Sequence, residues 1–384
     1  MPWQTRELMD TKREFVELAL KDGANRRELC RRFGISPKTG YALINRFTNE
    51  GVAGLAPRSR RPVTTPQRSH DSVEQAVINV RREHPSWGGR KIAAWMMARD
   101  PACTAPTPST VTRILHRHGL ISPEATQAAT PWHRFEHDAP NALWQIDFKG
   151  HFYTASGSRC SPLTVLDDHS RYSLAISACD RADTGTVKER LERVFGHYGL
   201  PLRINADNGG PWGTPRQPQD TISELAIWLI RLGIRVTYSA PYHPQTNGKI
   251  ERFHRSLKAE VLDGSSFADM SRVQSAFDRW RRLYNHERPH QALDLKTPST
   301  RYYPSPRNYV HALAPITYAE DDIVLDVGWG GWLKFKGKHV HLSSALHRLP
   351  IALRADPQHA GCYDVMFCHH LVTRIDLDTL ESVR

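Results

Sequence analysis

Cysteine is scarce in this 384-residue chain and poorly spaced: Cys30, Cys103, Cys160, Cys179, Cys362 and Cys368, with no CxxC pair. That argues against a disulfide framework and a cysteine-rich zinc site, and it suits a reducing compartment. No apolar run approaches the roughly 18–20 residues that span a bilayer, so no membrane association is expected. The opening MPWQTRELMD has no hydrophobic stretch behind a basic one. No secretory signal is read there, and a cytoplasmic, nucleoid-associated location is expected. Acid, too, is short relative to base. Lys and Arg total 52 against 40 Asp and Glu, a net charge of +12. A chain this basic calls for a polyanionic partner, most simply nucleic acid. The excess is concentrated: residues 1–135 hold 22 basic and 12 acidic side chains, whereas residues 307–384 hold 8 and 9.

The basic third reads as helices. Lys12–Leu20 is a short apolar-faced helix, Asn25 caps a second with Glu28 as its partner, and Gly34 ends it. Ser36 followed by Pro37 opens a third, reaching about Asn49. Helix, short glycine turn, helix is a helix-turn-helix pattern over residues 1–55. Its second helix would present Lys38, Thr39, Tyr41, Asn45 and Arg46 to DNA. Residues 56–70 form a Pro/Arg linker in which Arg58, Arg60 and Arg61 suit a phosphate backbone or minor groove. Residues 71–125 read as a second, winged-type helix-turn-helix.

From about Pro140 the period changes. Trp144–Phe148 alternates as a strand, hairpin strands follow to Ser177, and helices then alternate with strands to Leu262. Over residues 138–300 this predicts a mixed sheet with helices packed on it. Three acids stand out: Asp147 within an apolar strand, Asp207 at a strand tip, and Glu251 beside the Ile250, Phe253, Leu257 and Val261 stripe of a helix. Carboxylates at a core margin are costly unless paired or metal-bound, so these three read as divalent-metal ligands. Arg255 and Lys258 share a helix face with Glu251 and are placed on phosphates. Asn208 and His243 are candidate DNA contacts. Asp167 and Asp168 read as turn residues, and Gly209–Pro218 around Trp212 as a mobile loop.

The segments LWQIDFKG, VLDDHSRY, NADNGGPWG and PYHPQTNGKIERFHRSLKAEV, with YNHERPHQAL at Tyr284–Leu293, resemble DDE-type insertion-sequence transposases, relatives of retroviral integrases. The resemblance implies a ribonuclease-H-like core, Asp147, Asp207 and Glu251 as the catalytic triad, and two Mg²⁺ ions, with Mn²⁺ able to substitute. Two such ions about 3.5–4 Å apart stabilise both oxygens of an in-line phosphoryl transfer. It further implies a DNA transposase that binds the terminal inverted repeats, frees 3′-OH ends and joins them to target DNA as a dimer or higher synaptic complex. The chain lacks the N-terminal His/His/Cys/Cys module of retroviral integrases, so end recognition falls to the helix-turn-helix modules. Two alternatives are an inactive DNA-binding regulator derived from a transposase, which the intact acids disfavour, and a ribonuclease-H-like nuclease that cuts without joining.

Residues 310–384 show short, evenly spaced strands and are expected to form a small β-barrel. The net charge of −1 over residues 307–384 points away from DNA and toward a structural or protein-binding role. Cys362, Cys368, His369 and His370 are too poorly spaced to favour zinc.

Overall fold

The computed structural model describes residues 8–57, 68–100, 105–121, 136–207, 209–212, 222–238, 248–378 and 382–383. The chain divides into two compact units, Met1–Arg68 and Ser69–Arg384.

In the first unit, α1 (Leu8–Ala19), α2 (Arg26–Arg32) and α3 (Pro37–Glu50) enclose Phe15, Val16, Leu29, Cys30, Leu43, Ile44 and Leu55. The caps are side-chain built: Asn25 accepts from the Glu28 N–H, and Ser36 from that of Thr39 with Pro37 in the first turn. Gly40 sets the closeness of α3 to its neighbours, because a Cβ there would collide with Cys30 Sγ and the Phe15 ring.

The second unit begins with α4 (Asp71–Glu83), α5 (Gly89–Arg99) and α6 (Pro108–Arg117), which bury Trp87, Ile92, Ile114 and Leu115. Among the described residues this stretch has no strand, and the part of the expected winged module beyond Ile121 lies outside the described residues. Leu120 and Ile121 pack on the helical core.

Six strands then form the mixed sheet: β1 (Trp144–Phe148), β2 (Phe152–Tyr153), β3 (Arg159–Asp167), β4 (Ser173–Cys179), β5 (Arg203–Ala206) and β6 (Arg235–Tyr238). β3 runs antiparallel to β1, β2 and β4, while β1, β5 and β6 are parallel. α7 (Thr184–Tyr198) and α8 (Glu224–Arg231) share one apolar cluster with the sheet, and α9 (Gly248–Leu257) and α10 (Met270–His286) share another. On β1 the two-residue period assigns Trp144 and Ile146 to the first cluster and leaves Gln145 and Asp147 for the α9 side. The edge of β4 is covered by α10. Gln274 and Asn285 each pair with backbone N–H and C=O groups of β4, and Arg281 donates to Leu174 O. Such covering blocks edge-to-edge association.

The tail departs from expectation. β7 (Ile323–Asp326), β10 (Pro350–Ala355), β11 (Cys362–Phe367), β12 (His370–Asp376) and β13 (Ser382–Val383) form an antiparallel sheet in the order β13-β12-β11-β10-β7, while β8 (Trp332–Phe335) and β9 (Lys338–His341) pair as a hairpin. β7 and β13 remain edges, so the sheet is open and the expected small β-barrel is not formed. Closure is unnecessary because the tail buries its apolar side in the core's own cluster, where Leu333, Leu346 and Ile351 join Ile222 and Leu225. Ser343 Oγ donates to Ile222 O, and Arg231 reaches Ala314 O.

Candidate active site

The sheet register brings the acids together. Gln145 pairs with Asn205 across the parallel β1–β5 ladder. Asp147 and Asp207 each lie two residues further along, so they emerge side by side at the C-terminal ends of neighbouring strands. Glu251 stands in the first turn of α9. Both Asp207 and Glu251 are close enough for their charge to act on Asp147, whose carboxyl is pushed up to about 6. Burial is the largest cause; the Phe148 N–H opposes it, and the two like charges add to it.

Two details correct the sequence reading. Glu251 and Asp207 are exposed, and only Asp147 is half-buried. The core-margin argument therefore holds for one acid of the three. Among the described residues, no group of three His, Cys, Asp or Glu side chains lies close enough to hold a metal ion. The donor chemistry nevertheless fits one. The charges of Asp207 and Glu251 add to burial in raising Asp147, and a hard divalent cation relieves such repulsion while taking oxygen ligands.

His254, one turn after Glu251, is buried at the same place and was not singled out from sequence. Thr164 spends its only proton on Asp147 O (2.9 Å), so His254 Nε2 donates to Thr164 Oγ1 (2.7 Å) and Nδ1 is left without a proton. Burial, with the charge of Lys149, holds this imidazole down to about 4. The 3.8 Å approach of Nδ1 to Asp147 Oδ2 is therefore not an ion pair. Lys149 and His254 could have been found from their i+2 and i+3 spacing to the two acids.

Helix α9 is pinned to β1 at its start. Gln145 Oε1 accepts from the Ile250 N–H (3.1 Å), Gln145 Nε2 donates to Asp168 Oδ1 (3.0 Å), and Lys249 pairs with the other Asp168 oxygen. Gln145 and Asp168 are almost wholly buried. Asp168 thus anchors the helix that carries Glu251, beyond the turn role expected of it. Asp167 takes the turn role, accepting from the N–H and Oγ of Ser170 and from the Asn141 N–H.

Arg255 and Lys258 are exposed on the side of Glu251, although α9 stops at Leu257 and Lys258–Leu262 is a π-turn rather than a continuation of the α-helix. Trp212, expected in a mobile loop, is 4% exposed, packs on Phe148 and has its carbonyl held by Ser223 Oγ and Tyr238 OH. Asn208, His243, Arg58, Arg60 and Arg61 lie outside the described residues. On α3, Lys38, Thr39, Tyr41 and Asn45 are exposed, and half-buried Arg46 bonds back to Ala42 O.

Integrase core domain families match residues 137–244 and 232–298, a helix-turn-helix domain matches residues 11–62, and a homeodomain-like domain matches residues 39–115. Among curated relatives, an uncharacterized 31.7 kDa protein of insertion element IS407 from Burkholderia multivorans is 30% identical over 49% of this chain and 62% of its own length. A 39.2 kDa protein of IS476 from Xanthomonas euvesicatoria is 23% identical over 65% of this chain and 69% of its own. The HTLV-2 integrase catalytic core domain, solved in complex with magnesium, aligns at 17% identity and TM-score 0.33, covering 43% of this chain and 99% of that one. The domain matches define an integrase-core protein joined to helix-turn-helix domains. Within that class, the chain is similar to proteins of the insertion elements IS407 and IS476, and it spans less than two thirds of the IS407 protein's length. Among the described residues, no helix is long and apolar enough to cross a membrane.

Proposed function

We propose that this protein binds the terminal inverted repeats of its element, cuts there to free 3′-OH groups and joins them to target DNA, working as a dimer or higher complex. The observation that carries this reading is the register that sets Asp147 and Asp207 side by side at the C-terminal ends of β1 and β5, with Glu251 near enough for its charge to act on Asp147. These three would hold two Mg²⁺ ions, or Mn²⁺ in their place. When bound, the ions polarise a phosphate and favour ionisation of an attacking hydroxyl. The chain's own residues do the positioning. Gln145 and the Asp168–Lys249 pair fix the start of α9 and hence Glu251, while Arg255 and Lys258 meet the phosphates. The deciding experiment incubates the full chain with Mg²⁺ and its flanking DNA ends. Strand-transfer products support the reading; cleavage without joining would favour the nuclease alternative, and end binding with neither would favour the regulator.

Two further expectations follow from the geometry. Gln145→Ala should slow joining about 10–100-fold, as loss of a ligand-orienting contact does, with end-DNA affinity unchanged. An unaltered rate would remove Gln145 from the positioning set. The first unit has its own core, so a 1–68 fragment should fold and bind terminal DNA in preference to scrambled DNA. Its log affinity should fall with log salt at a slope of about −0.9 per phosphate contact. Lys38→Ala or Asn45→Ala should each cost about 1–3 kcal/mol if they read base edges. Equal affinity of the fragment for both sequences would move end recognition to residues 69–384.

A further inference from the structure

The average charge of the tail conceals a division. Its acids fall before residue 327 and after residue 355, and the stretch between holds five Lys and Arg and no acid. In this acid-free stretch lie Trp329, 84% exposed, and Trp332, 48% exposed. Isolated surface apolar residues need no explanation, but two neighbouring open indoles do.

Their presentation is built. Trp329 and Trp332 flank Gly330 and Gly331, both at positive φ, and a Cβ on Gly331 would run into the Ser343 backbone. Each indole is propped by a histidine edge-to-face: His347 lies 5.2 Å from Trp329, and His341 lies 5.2 Å from Trp332. The two imidazoles are themselves fixed by the loop, bonding to Gly328 O and Gly330 O. The β8–β9 register pairs Trp332 with His341 and Lys334 with His339, so a lysine continues the face that Trp332 begins. The alternate residues Leu333 and Phe335 are buried, which anchors this face to the core.

We propose that Trp329 and Trp332, with Lys334, form a stacking platform for unpaired DNA bases. Open indoles offer π-surface that every base can match, and the acid-free basic stretch supplies the attraction for phosphates. A duplex keeps its base faces covered, which selects single-stranded or frayed DNA over duplex. The inference goes beyond the proposed reaction and shares with it only DNA as the ligand.

The test uses the full chain in chelator, so that metal chemistry plays no part, with a labelled single-stranded oligothymidylate as probe. Trp329→Ala with Trp332→Ala should weaken binding by about tenfold or more per indole removed. The corresponding Phe variants should keep most of the affinity, and binding of terminal duplex should be unchanged. Photocrosslinking of a 5-iodouracil oligonucleotide to the unaltered chain should yield adducts at Trp329 or Trp332, a result independent of how the variants fold. Unchanged oligonucleotide affinity in a folded double Ala variant, or crosslinks that avoid both tryptophans, would overturn the proposal. A double variant that keeps its affinity but loses self-association would assign the face to a second copy of the chain.

Discussion

Glu251→Gln is expected to abolish both strand cleavage and joining in Mg²⁺ while leaving binding to the element's ends intact. The substitution keeps the size of the side chain but removes a negative charge that acts on Asp147. A metal that loses an anionic ligand loses several kcal/mol of charge stabilisation, which corresponds to a rate lower by on the order of 10³-fold. End binding should survive because Glu251 sits in the second unit, whereas the exposed residues of α3 belong to the first. Parallel assays of binding by gel shift and joining by product analysis separate the two. Full joining by the Gln variant would take Glu251 out of the triad. Loss of binding together with joining would show that the residue serves the fold or the DNA contact instead.

How much of this was legible in sequence differs by element. The caps of α2 and α3 could be read because Asn25 and Ser36 act on backbone a few residues away, and local chemistry needs no knowledge of the fold. The strand carrying Asp147 was legible from its alternation. What could not be read was where each polar residue on that strand would find its partner. Gln145 looks like an ordinary strand glutamine until α9 is laid across it, since the Ile250 N–H it accepts from is about a hundred residues away. In sequence His254 has only a place beside an apolar stripe, and its burial follows from Thr164 and Asp147 facing it on the sheet. The barrel expected for the tail failed for a related reason. Strand lengths and turns fix hairpins, but whether an open sheet must close on itself depends on what else covers its apolar side. Here Leu225 and its neighbours on and near α8 do so.

The largest stability effect should come from Glu260, which follows α9 within the π-turn and is 9% exposed. Arg288 forks onto it with contacts of 2.8–3.2 Å, Trp280 Nε1 donates at 2.9 Å, and Ser86, from the helical module of α4–α6, donates at 2.8 Å. The same module is joined a second time by Arg99 to Glu287. Burial alone would push the Glu260 carboxyl up. The Arg288 charge, with the hydrogen bonds from Arg288, Trp280 and Ser86, outweighs burial and holds it below the usual carboxylate range. Glu260→Ala would leave the Arg288 guanidinium, 7% exposed, without its counter-charge, and half-buried Lys91 nearby would also lose an opposing charge. Breaking a buried pair from one side costs about 3–5 kcal/mol. The Ala variant should therefore melt well below the wild type, with cleavage by a protease appearing first in residues 71–121. Because the folded pKa is depressed, the carboxylate's contribution is complete above the unfolded value near 4.5 and is lost as pH falls through the folded value. The gap between wild type and Glu260→Gln should accordingly be widest at neutral pH and shrink in acid. Replacing both Glu260 and Arg288 by Met should recover much of the loss, since apolar partners of similar size leave no charge buried. A Glu260→Ala chain that melts with the wild type would show that the helical module is held to the sheet domain without Glu260, by its apolar contacts and the Arg99–Glu287 pair.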